Sequence, residues 1–235
     1  MTRADKFLSL FNLIEKTLHK ISPREPGEGF KEMINRLSKS NKIICQYKYD
    51  LRDYADLRNA IVHQFTGEAI AEPHEDVIAN LQTIHDILVR PPTAIEISSK
   101  PVYCCEAKDK IVDVVKTMTA KVYTHVPVYE DDRFVGVFSE SSIARWLGEN
   151  AEKDGFLLNE TRVGELKQFF EKDNDPFNSY KFVSKDIDVF TIMDYFLSFV
   201  NENKRLGAIF VTNSGRSSEG ILGIITSWDL PRIDK

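Results

Sequence analysis

The chain has 235 residues, of which 42% are hydrophobic and 29% charged, a composition typical of a globular protein with one large or two ordinary domains. Its formal net charge of −5 argues against a strong nonspecific grip on nucleic acid, so DNA is not an expected partner. No apolar run approaches the length of a membrane span, and the charges from Arg3 onward do not fit a signal peptide. We therefore expect a cytoplasmic protein.

Residues 1–92 carry apolar residues at helical intervals, which predicts a helical domain of four helices. The first contains Phe7 to Leu18 and is closed by Ser22-Pro23. The other three are predicted at about 30–37, 43–64 and 74–88. Pro91-Pro92 then ends the helical pattern and marks the domain boundary, because proline cannot continue a helix.

Residues 93–235 change to short strands that alternate with helices, and the same order of elements occurs twice. The first repeat covers about 93–150 and the second about 160–235, each as strand, helix, strand, strand, helix. The predicted strands are 102–105, 126–129, 134–138, 181–183, 208–211 and 221–225. Each repeat is too small to bury its own faces, so we expect both to pack as one domain. The predicted fold class is α+β, a four-helix bundle followed by two β-α-β-β-α repeats.

The three cysteines, Cys45, Cys104 and Cys105, do not form a disulfide framework, and the last two are adjacent in an apolar stretch without the spacing of a metal site. We interpret them as buried free thiols, which favours a reducing compartment. The sequence predicts no metal site and no required cofactor.

One phrase is written twice, as F-V-G-V-F-S-E-S-S-I at 134–143 and I-L-G-I-I-T-S-W-D-L at 221–230. The second copy places Thr226 and Asp229 where a strand passes into a helix. There an aspartate can accept hydrogen bonds from both hydroxyls of a ribose, and a hydroxyl beside the free N–H groups of a first helical turn can meet a phosphate. The alternative is that both residues merely cap the helix. The first copy has Ser139, but Ser142 stands in place of the aspartate.

These phrases, with the strand–turn–strand V-P-V-Y-E-D-D-R-F-V-G-V of the first copy, resemble a tandem CBS pair, also called a Bateman module, over about residues 93–235. The resemblance implies two repeats that face each other across a pseudo-twofold axis, with an adenosine-type ligand such as ATP, ADP, AMP or a related compound in a cleft. The ligand-binding residues it implies are Thr226, Ser227, Asp229, Phe182, Val183, Ala208, Ile209, His125, Arg205 and Ser139.

The resemblance also implies a role for several of these residues. The adenine is expected against the backbone at Phe182-Val183 and at Ala208-Ile209. A protonated His125 and Arg205 are candidates for contact with phosphates, with a half-buried histidine and a solvated loop arginine as the ordinary alternatives. Because Ser142 cannot grip a diol as a charged acceptor would, we expect the first site to be weak, empty or selective for a different ligand.

The predicted third helix contains R-N-A-I-V-H, from Arg58 to His63. An arginine, a polar residue and a histidine at this spacing resemble the HEPN family of helical domains over about residues 1–90. The resemblance implies a homodimer and metal-independent cleavage of RNA by Arg58, Asn59 and His63. A histidine can move the proton of the ribose 2′-hydroxyl, and an arginine can stabilise the charge that develops on the phosphate.

A non-catalytic interpretation of this motif has comparable weight. The Arg58 side chain can instead pair with a nearby aspartate, and His63 can stabilise a helix C-terminus. The aspartates within reach are Asp50, Asp53 and Asp56. The predicted function is a homodimeric adenosine-nucleotide sensor whose helical bundle is a ligand-regulated ribonuclease. The alternative is a non-enzymatic regulatory module that dimerises or docks a partner protein.

Overall fold

The computed structural model describes residues 2–62, 72–150, 159–170 and 179–230. The chain forms two compact units, Met1–Pro91 and Pro92–Lys235. In the part of the chain that is described, no helix combines the length and the apolar character needed to cross a bilayer. The predicted catalytic residue His63 lies outside the described residues.

The first unit is helical. Its described helices are α1 (Arg3–Ile21), α2 (Phe30–Leu37), α3 (Lys42–Gln46), α4 (Lys48–Val62) and α5 (Glu75–Val89). A capping box starts α1, since Thr2 Oγ1 accepts from the Asp5 N–H at 3.1 Å while Asp5 Oδ2 accepts from the Thr2 N–H at 2.9 Å. The side chains of Phe7, Ile14 and Leu81 are fully buried and belong to the core of this unit.

The predicted third helix, 43–64, is wrong in its continuity, because the chain leaves helical geometry at Tyr47. Asn41 starts the short α3 by accepting a hydrogen bond from the Ile44 N–H at 3.1 Å. Tyr47 ends it with φ −95° and ψ 17°, and α4 begins at the next residue. Neither glycine nor proline marks this break, so the sequence carries no local signal for it.

The second unit contains the two repeats, and the predicted mixed fold of helix and sheet is confirmed. The first repeat consists of β1 (Cys105–Glu106), α7 (Ile111–Lys121), β2 (His125–Glu130), β3 (Arg133–Ser139) and α8 (Glu140–Asn150); α6 (Ala94–Ile97) precedes it. The second consists of β4 (Ser179–Ser184), α9 (Val189–Asn201), β5 (Leu206–Thr212) and β6 (Gly223–Ile225), with a 3-10 helix (Val163–Phe169) before it. In each three-stranded sheet the first strand runs parallel to the second, and the second runs antiparallel to the third.

Two predicted elements are shorter in the structure. The strand predicted at 102–105 pairs only at its end, as β1, because Val102 and Tyr103 line a cleft instead of extending the ladder. The helix predicted to start at Ser227 is only a turn within the described residues.

The segment before the first repeat packs against the second repeat. The Ala94 N–H donates to the Ile187 carbonyl at 2.8 Å, and the Val189 N–H donates to the Pro92 carbonyl at 2.9 Å. An isolated antiparallel bridge then joins Ser99 to Ile224 of β6. These bonds attach residues 92–99 to the opposite repeat along most of their length.

The segment before the second repeat packs against the first in the same way. The Ile111 N–H donates to the Thr161 carbonyl at 3.0 Å, and the Gly164 N–H donates to the Ala107 carbonyl at 2.8 Å. We call residues 92–99 and 161–170 the first and second lead segments. Each repeat is therefore completed by a lead segment that precedes the other one in sequence.

The packing of each lead segment on the other repeat explains the glycine that recurs in the repeated phrase. A Cβ atom on Gly136 would lie 2.5 Å from the carbonyl oxygen of Phe170, in the second lead segment. A Cβ atom on Gly223 would lie 2.2 Å from Ser98 Oγ, in the first. Both positions require glycine because a lead segment passes directly over the third strand of the sheet.

The two sheets meet through aromatic side chains. The ring of Phe134 on β3 lies 5.0 Å from that of Phe182 and 5.5 Å from that of Tyr180, both edge to face. Phe210 is fully buried beside them, 5.5 Å from Phe182. Edge-to-face pairs at these distances stabilise the contact between the repeats beyond the area they bury.

Candidate functional site

A cleft of about 740 Å³, here the first cleft, opens in the second unit. One wall is formed by Thr226 and Asp229, which follow β6. Its lining also includes Ser99–Tyr103, which lead into β1, and Lys121–His125, which lead from α7 into β2. The cleft thus combines the end of the second repeat with the beginning of the first.

Asp229 is only 4% exposed, and its carboxylate is held in place by hydrogen bonds. Its Oδ2 accepts from the Thr226 N–H at 2.8 Å and from Thr226 Oγ1 at 3.0 Å. Its Oδ1 accepts from Ser99 Oγ at 2.8 Å. Oδ2 therefore holds the turn from Thr226 to Asp229 together, while Oδ1 binds the Ser99 hydroxyl at the wall of the cleft.

The first cleft also has aromatic and apolar walls. The rings of Tyr103 and Tyr123 are stacked, with centroids 6.0 Å apart and planes at 17°. Trp228 is 83% exposed at the edge of the cleft, and Ile224 contributes apolar surface. Burial raises the pKa of the Tyr103 hydroxyl. Such walls suit a flat heteroaromatic base.

His125 is the first residue of β2 and lines both clefts. Burial lowers the pKa of His125 to about 4, because the charged form would lose its hydration. Its ring packs so closely on Gly207 that a Cβ there would lie 2.1 Å from Nε2, and its Nδ1 is 2.8 Å from Thr124 Oγ1. Burial therefore disfavours the protonated His125 that was expected to meet phosphate, and the contact itself stays a prediction.

A neighbouring cleft of about 500 Å³, the second cleft, contains the predicted residues Ser139, Arg205 and Ser227. It shares His125 and Trp228 with the first cleft. Ser139 is 1% exposed. Its hydroxyl lies 2.8 Å from Ser141 Oγ and 3.1 Å from Ser142 Oγ, so it is occupied within its own turn.

Ser142 occupies in the first repeat the position that Asp229 has in the second, and it likewise binds its own turn and a lead segment. Its Oγ accepts from the Ser139 N–H at 3.3 Å and donates to the Phe169 carbonyl at 3.4 Å, in the second lead segment. Ser142 is fully buried and is not among the described residues that line either cleft. The position equivalent to Asp229 therefore offers no carboxylate to a ligand.

The residues predicted to receive the adenine lie elsewhere. Phe182 belongs to the aromatic contact between the sheets, and Val183, Ala208 and Ile209 are buried. None of the four is among the described residues lining the two clefts. The described lining of the cleft that contains Asp229 includes Tyr103 and Tyr123 of the first repeat and none of the four predicted adenine positions.

Sequence reasoning missed Ser99, Lys100, Tyr103, Lys121, Tyr123 and Trp228 as residues of the first cleft. The pseudo-twofold arrangement that the resemblance to a tandem CBS pair implies is the signal that could have found most of them. Two repeats that face each other bring the end of one against the beginning of the other, which directs attention to 99–103 and 121–125.

In the first unit, Arg58 Nη1 donates to Asn59 Oδ1 at 3.2 Å. Both side chains line a polar hollow of about 410 Å³, which also contains Arg24 and Lys31 together with two glutamates. Those glutamates are Glu15 and Glu32. Of the aspartates considered as partners for Arg58, Asp56 is paired with Lys31.

In the described chain, no group of three or more His, Cys, Asp or Glu side chains could hold a metal ion. Cys105 is buried, as expected, and burial raises the pKa of its thiol to about 12. Cys45 and Cys104 are exposed rather than buried, so the prediction of three buried thiols is wrong for these two.

Comparison with known proteins gives one family match. Residues 94–149 match the model of the CBS domain, so the first repeat is similar to a CBS domain. No curated protein matches significantly. Among solved structures, the CBS domain pair of protein MJ0100 in complex with 5′-methylthioadenosine and S-adenosyl-L-methionine is 17% identical, with a TM-score of 0.45 over 61% of this chain and 95% of that chain.

Two further structures have the same level of similarity. The CBS domain of a CBS-domain-containing membrane protein from Sphaerobacter thermophilus is 18% identical, with a TM-score of 0.45 over 66% of this chain and 97% of that one. A CBS-domain-containing protein from Agrobacterium tumefaciens is 14% identical, with a TM-score of 0.44 over 61% of this chain and 93% of that one.

Proposed function

We propose that residues 93–235 form a tandem CBS pair that binds an adenosine-type ligand in the first cleft, within a homodimeric cytoplasmic protein that senses AMP, ADP, ATP or a related compound. The observation that carries the proposal is Asp229 Oδ1, which accepts a hydroxyl at 2.8 Å in the wall of a cleft with stacked tyrosines.

The ribose is assigned to Asp229. A carboxylate is an acceptor only, and its hydrogen bonds with neutral donors are stronger than those between two neutral groups. Thr226 holds the other carboxylate oxygen from its backbone and its hydroxyl, which fixes the direction of Oδ1. Prior fixation reduces the entropy lost when a ligand binds.

The base is assigned to the apolar side of the cleft. The stacked pair of Tyr103 and Tyr123, the exposed Trp228 and the side chain of Ile224 provide flat and apolar surface for a purine. The phosphates are assigned to Lys100 and Lys121, both exposed at the same cleft. Ammonium groups in this position attract phosphate without fixing its orientation.

The test is a calorimetric titration of the wild-type protein with AMP, ADP and ATP, with GMP as the matched control ligand. We expect an adenine nucleotide to bind with micromolar to submillimolar affinity. We further expect Lys100→Ala to weaken ATP binding by about 3- to 10-fold at low salt and adenosine binding hardly at all, because it removes only an exposed charge. Methylthioadenosine and S-adenosylmethionine are the natural further probes.

Lys116→Ala is the control variant for this titration. Lys116 is exposed on α7, the same helix that carries Lys121, but it does not line the first cleft. Its substitution removes the same charge from the protein and should leave ATP affinity unchanged. Absence of binding by every adenine compound at millimolar concentration, or equal affinity for GMP, would refute the proposed ligand class.

For the helical unit, we propose metal-independent cleavage of RNA, following the resemblance of R-N-A-I-V-H to HEPN ribonucleases. Arg58 and Asn59 support this role, since their side chains are bonded to each other and line a polar hollow with Arg24 and Lys31. Arg24 is paired there with Glu15 and Lys31 with Asp56, so Arg58 is the guanidinium proposed to stabilise charge on a phosphate. The alternative, a non-enzymatic bundle that docks a partner protein, is separated from this role by experiment.

RNA cleavage should be measured in EDTA with and without saturating AMP or ATP. We expect His63→Ala and Arg58→Ala each to lower the rate at least about 100-fold, as loss of a proton-transfer group or of a charge-stabilising donor does. Arg52→Ala, on the same helix but outside the hollow, should retain the wild-type rate. Wild-type protein that cleaves no RNA under any of these conditions would refute the proposed nuclease role.

A further inference from the structure

The carboxylate assigned to the ribose is also the anchor of the first lead segment. Ser99, the last residue of that segment, donates its hydroxyl to Asp229 Oδ1 at 2.8 Å across 130 residues of sequence. The remaining oxygen, Oδ2, is committed to Thr226. Oδ2 accepts two printed hydrogen bonds and Oδ1 one, so a ribose hydroxyl that approaches Oδ1 would have to share this oxygen with Ser99 Oγ or displace it.

We propose that Ser99 is a competitor for the ligand, so that occupation of the first cleft releases the Ser99 hydroxyl from Asp229 and loosens the first lead segment. The inference rests on the proposed adenosine site and adds its regulation. The exchange is chemically balanced, since one hydroxyl donor replaces another on the same carboxylate oxygen. Ligand binding thus becomes a change in the attachment of residues 92–99.

The first lead segment is hydrogen-bonded to the second repeat near both of its ends, so release of Ser99 from Asp229 would weaken one of these attachments. Ser99 and Ile224 exchange two backbone hydrogen bonds, of 2.8 and 3.1 Å, immediately beside the side-chain bond to Asp229. At the other end, the segment is bonded to Ile187 and Val189 of the second repeat. The chain that precedes Pro92 is the last helix of the first unit, so the lead segment is the covalent route from the cleft to that unit.

The first repeat has the equivalent contact between a turn and a lead segment, but at a residue that borders neither cleft. Ser142 binds the second lead segment at the Phe169 carbonyl, and it is buried away from both clefts. Both repeats therefore use this position to bind a lead segment. In the second repeat the residue is an aspartate, and its carboxylate also borders the first cleft.

Ser99→Ala tests the competition. Removal of the competing hydroxyl should increase the affinity for AMP by about 3- to 10-fold, because a hydrogen bond to a charged group no longer has to be exchanged. Ser99→Thr keeps the hydroxyl and should restore wild-type affinity. Ser98→Ala is the matched control, since Ser98 Oγ donates to the Ile95 carbonyl and not to Asp229.

Hydrogen–deuterium exchange of the peptide covering residues 92–99 tests the loosening. Saturating AMP should increase exchange of this peptide in the wild-type and Ser98→Ala proteins, whereas in Ser99→Ala the exchange should be high already and insensitive to AMP. AMP binding by wild type with unchanged affinity in Ser99→Ala, or with no AMP effect on the wild-type peptide, would overturn the inference alone. Failure of wild type to bind any adenine compound would overturn the proposed site as well.

Discussion

Asp229→Asn should weaken AMP binding by about 10- to 100-fold while the protein remains folded. The change removes the negative charge and one acceptor oxygen, and each hydrogen bond to a charged group contributes about 1.5–3 kcal/mol. The asparagine can still accept from the Thr226 N–H and can donate to Ser99 Oγ, so the turn after β6 keeps its partners. Calorimetric titration of both proteins with AMP measures the loss.

The ribose role can be isolated by pairing the variant with a changed ligand. In the wild-type protein, 2′-deoxy-AMP should bind more weakly than AMP, because one of the two hydroxyls is missing. In Asp229→Asn the two ligands should bind with nearly equal affinity, since the group that distinguishes them is gone. A difference between the ligands that is the same in both proteins would show that the diol is bound elsewhere.

Ser142→Ala is the matched control, at the equivalent position of the first repeat. It removes bonds to Ser139 and Phe169 and should lower the free energy of unfolding by about 1 kcal/mol. It should leave AMP affinity unchanged, because Ser142 lines neither cleft in the described chain. A loss of AMP affinity as large as that of Asp229→Asn would mean that the substitutions act through stability and not through ligand contact.

The repeat and its strands could be predicted from the sequence because their causes are local. The apolar residues around Gly136 and Gly223 show the period of strands, and the recurrence of one phrase indicates the same unit twice. The two glycines are required by the tertiary structure, because a lead segment passes over each sheet. Their recurrence in the sequence marks the two positions but does not reveal this cause. The break at Tyr47 has no such signal, and it was missed.

The candidate site could be predicted only on the side where its residues are close in sequence. Thr226 and Asp229 are three positions apart and hydrogen-bonded to each other, so the phrase was enough to single them out together. The Ser99–Asp229 contact spans 130 residues, and nothing in either neighbourhood marks it. The predicted adenine positions, Phe182 to Ile209, are apolar because they belong to the core, and an apolar pattern alone cannot distinguish a core face from the wall of a cleft.

Burial of His125 should make the second unit sensitive to acid. The folded-state pKa of about 4 lies below the usual value of 6.5, so the unfolded chain binds this proton more readily than the folded one. The stability contributed by neutral His125 is complete above pH 6.5 and is lost as the pH falls towards 4. At about 1.4 kcal/mol per pKa unit, the loss is about 2–4 kcal/mol.

Urea unfolding followed by tryptophan fluorescence between pH 7 and pH 4 measures this loss. Both tryptophans, Trp146 and Trp228, belong to the second unit, so the signal reports the unfolding of that unit. His125→Asn removes the titrating group and should reduce the pH dependence by the same 2–4 kcal/mol, whatever its effect on stability at pH 7. Carboxylates that titrate in this range are common to both proteins and cancel in the difference.

His74→Asn, at an exposed histidine of the first unit, is the control and should leave the fluorescence-detected pH dependence unchanged. Equal pH dependence in wild type and His125→Asn would show that His125 is hydrated in solution. It would also contradict the close packing on Gly207, where the ring leaves no space for a Cβ. Because the same ring borders both clefts, its hydration would change the shape of the proposed nucleotide site, so this measurement constrains the site without any ligand.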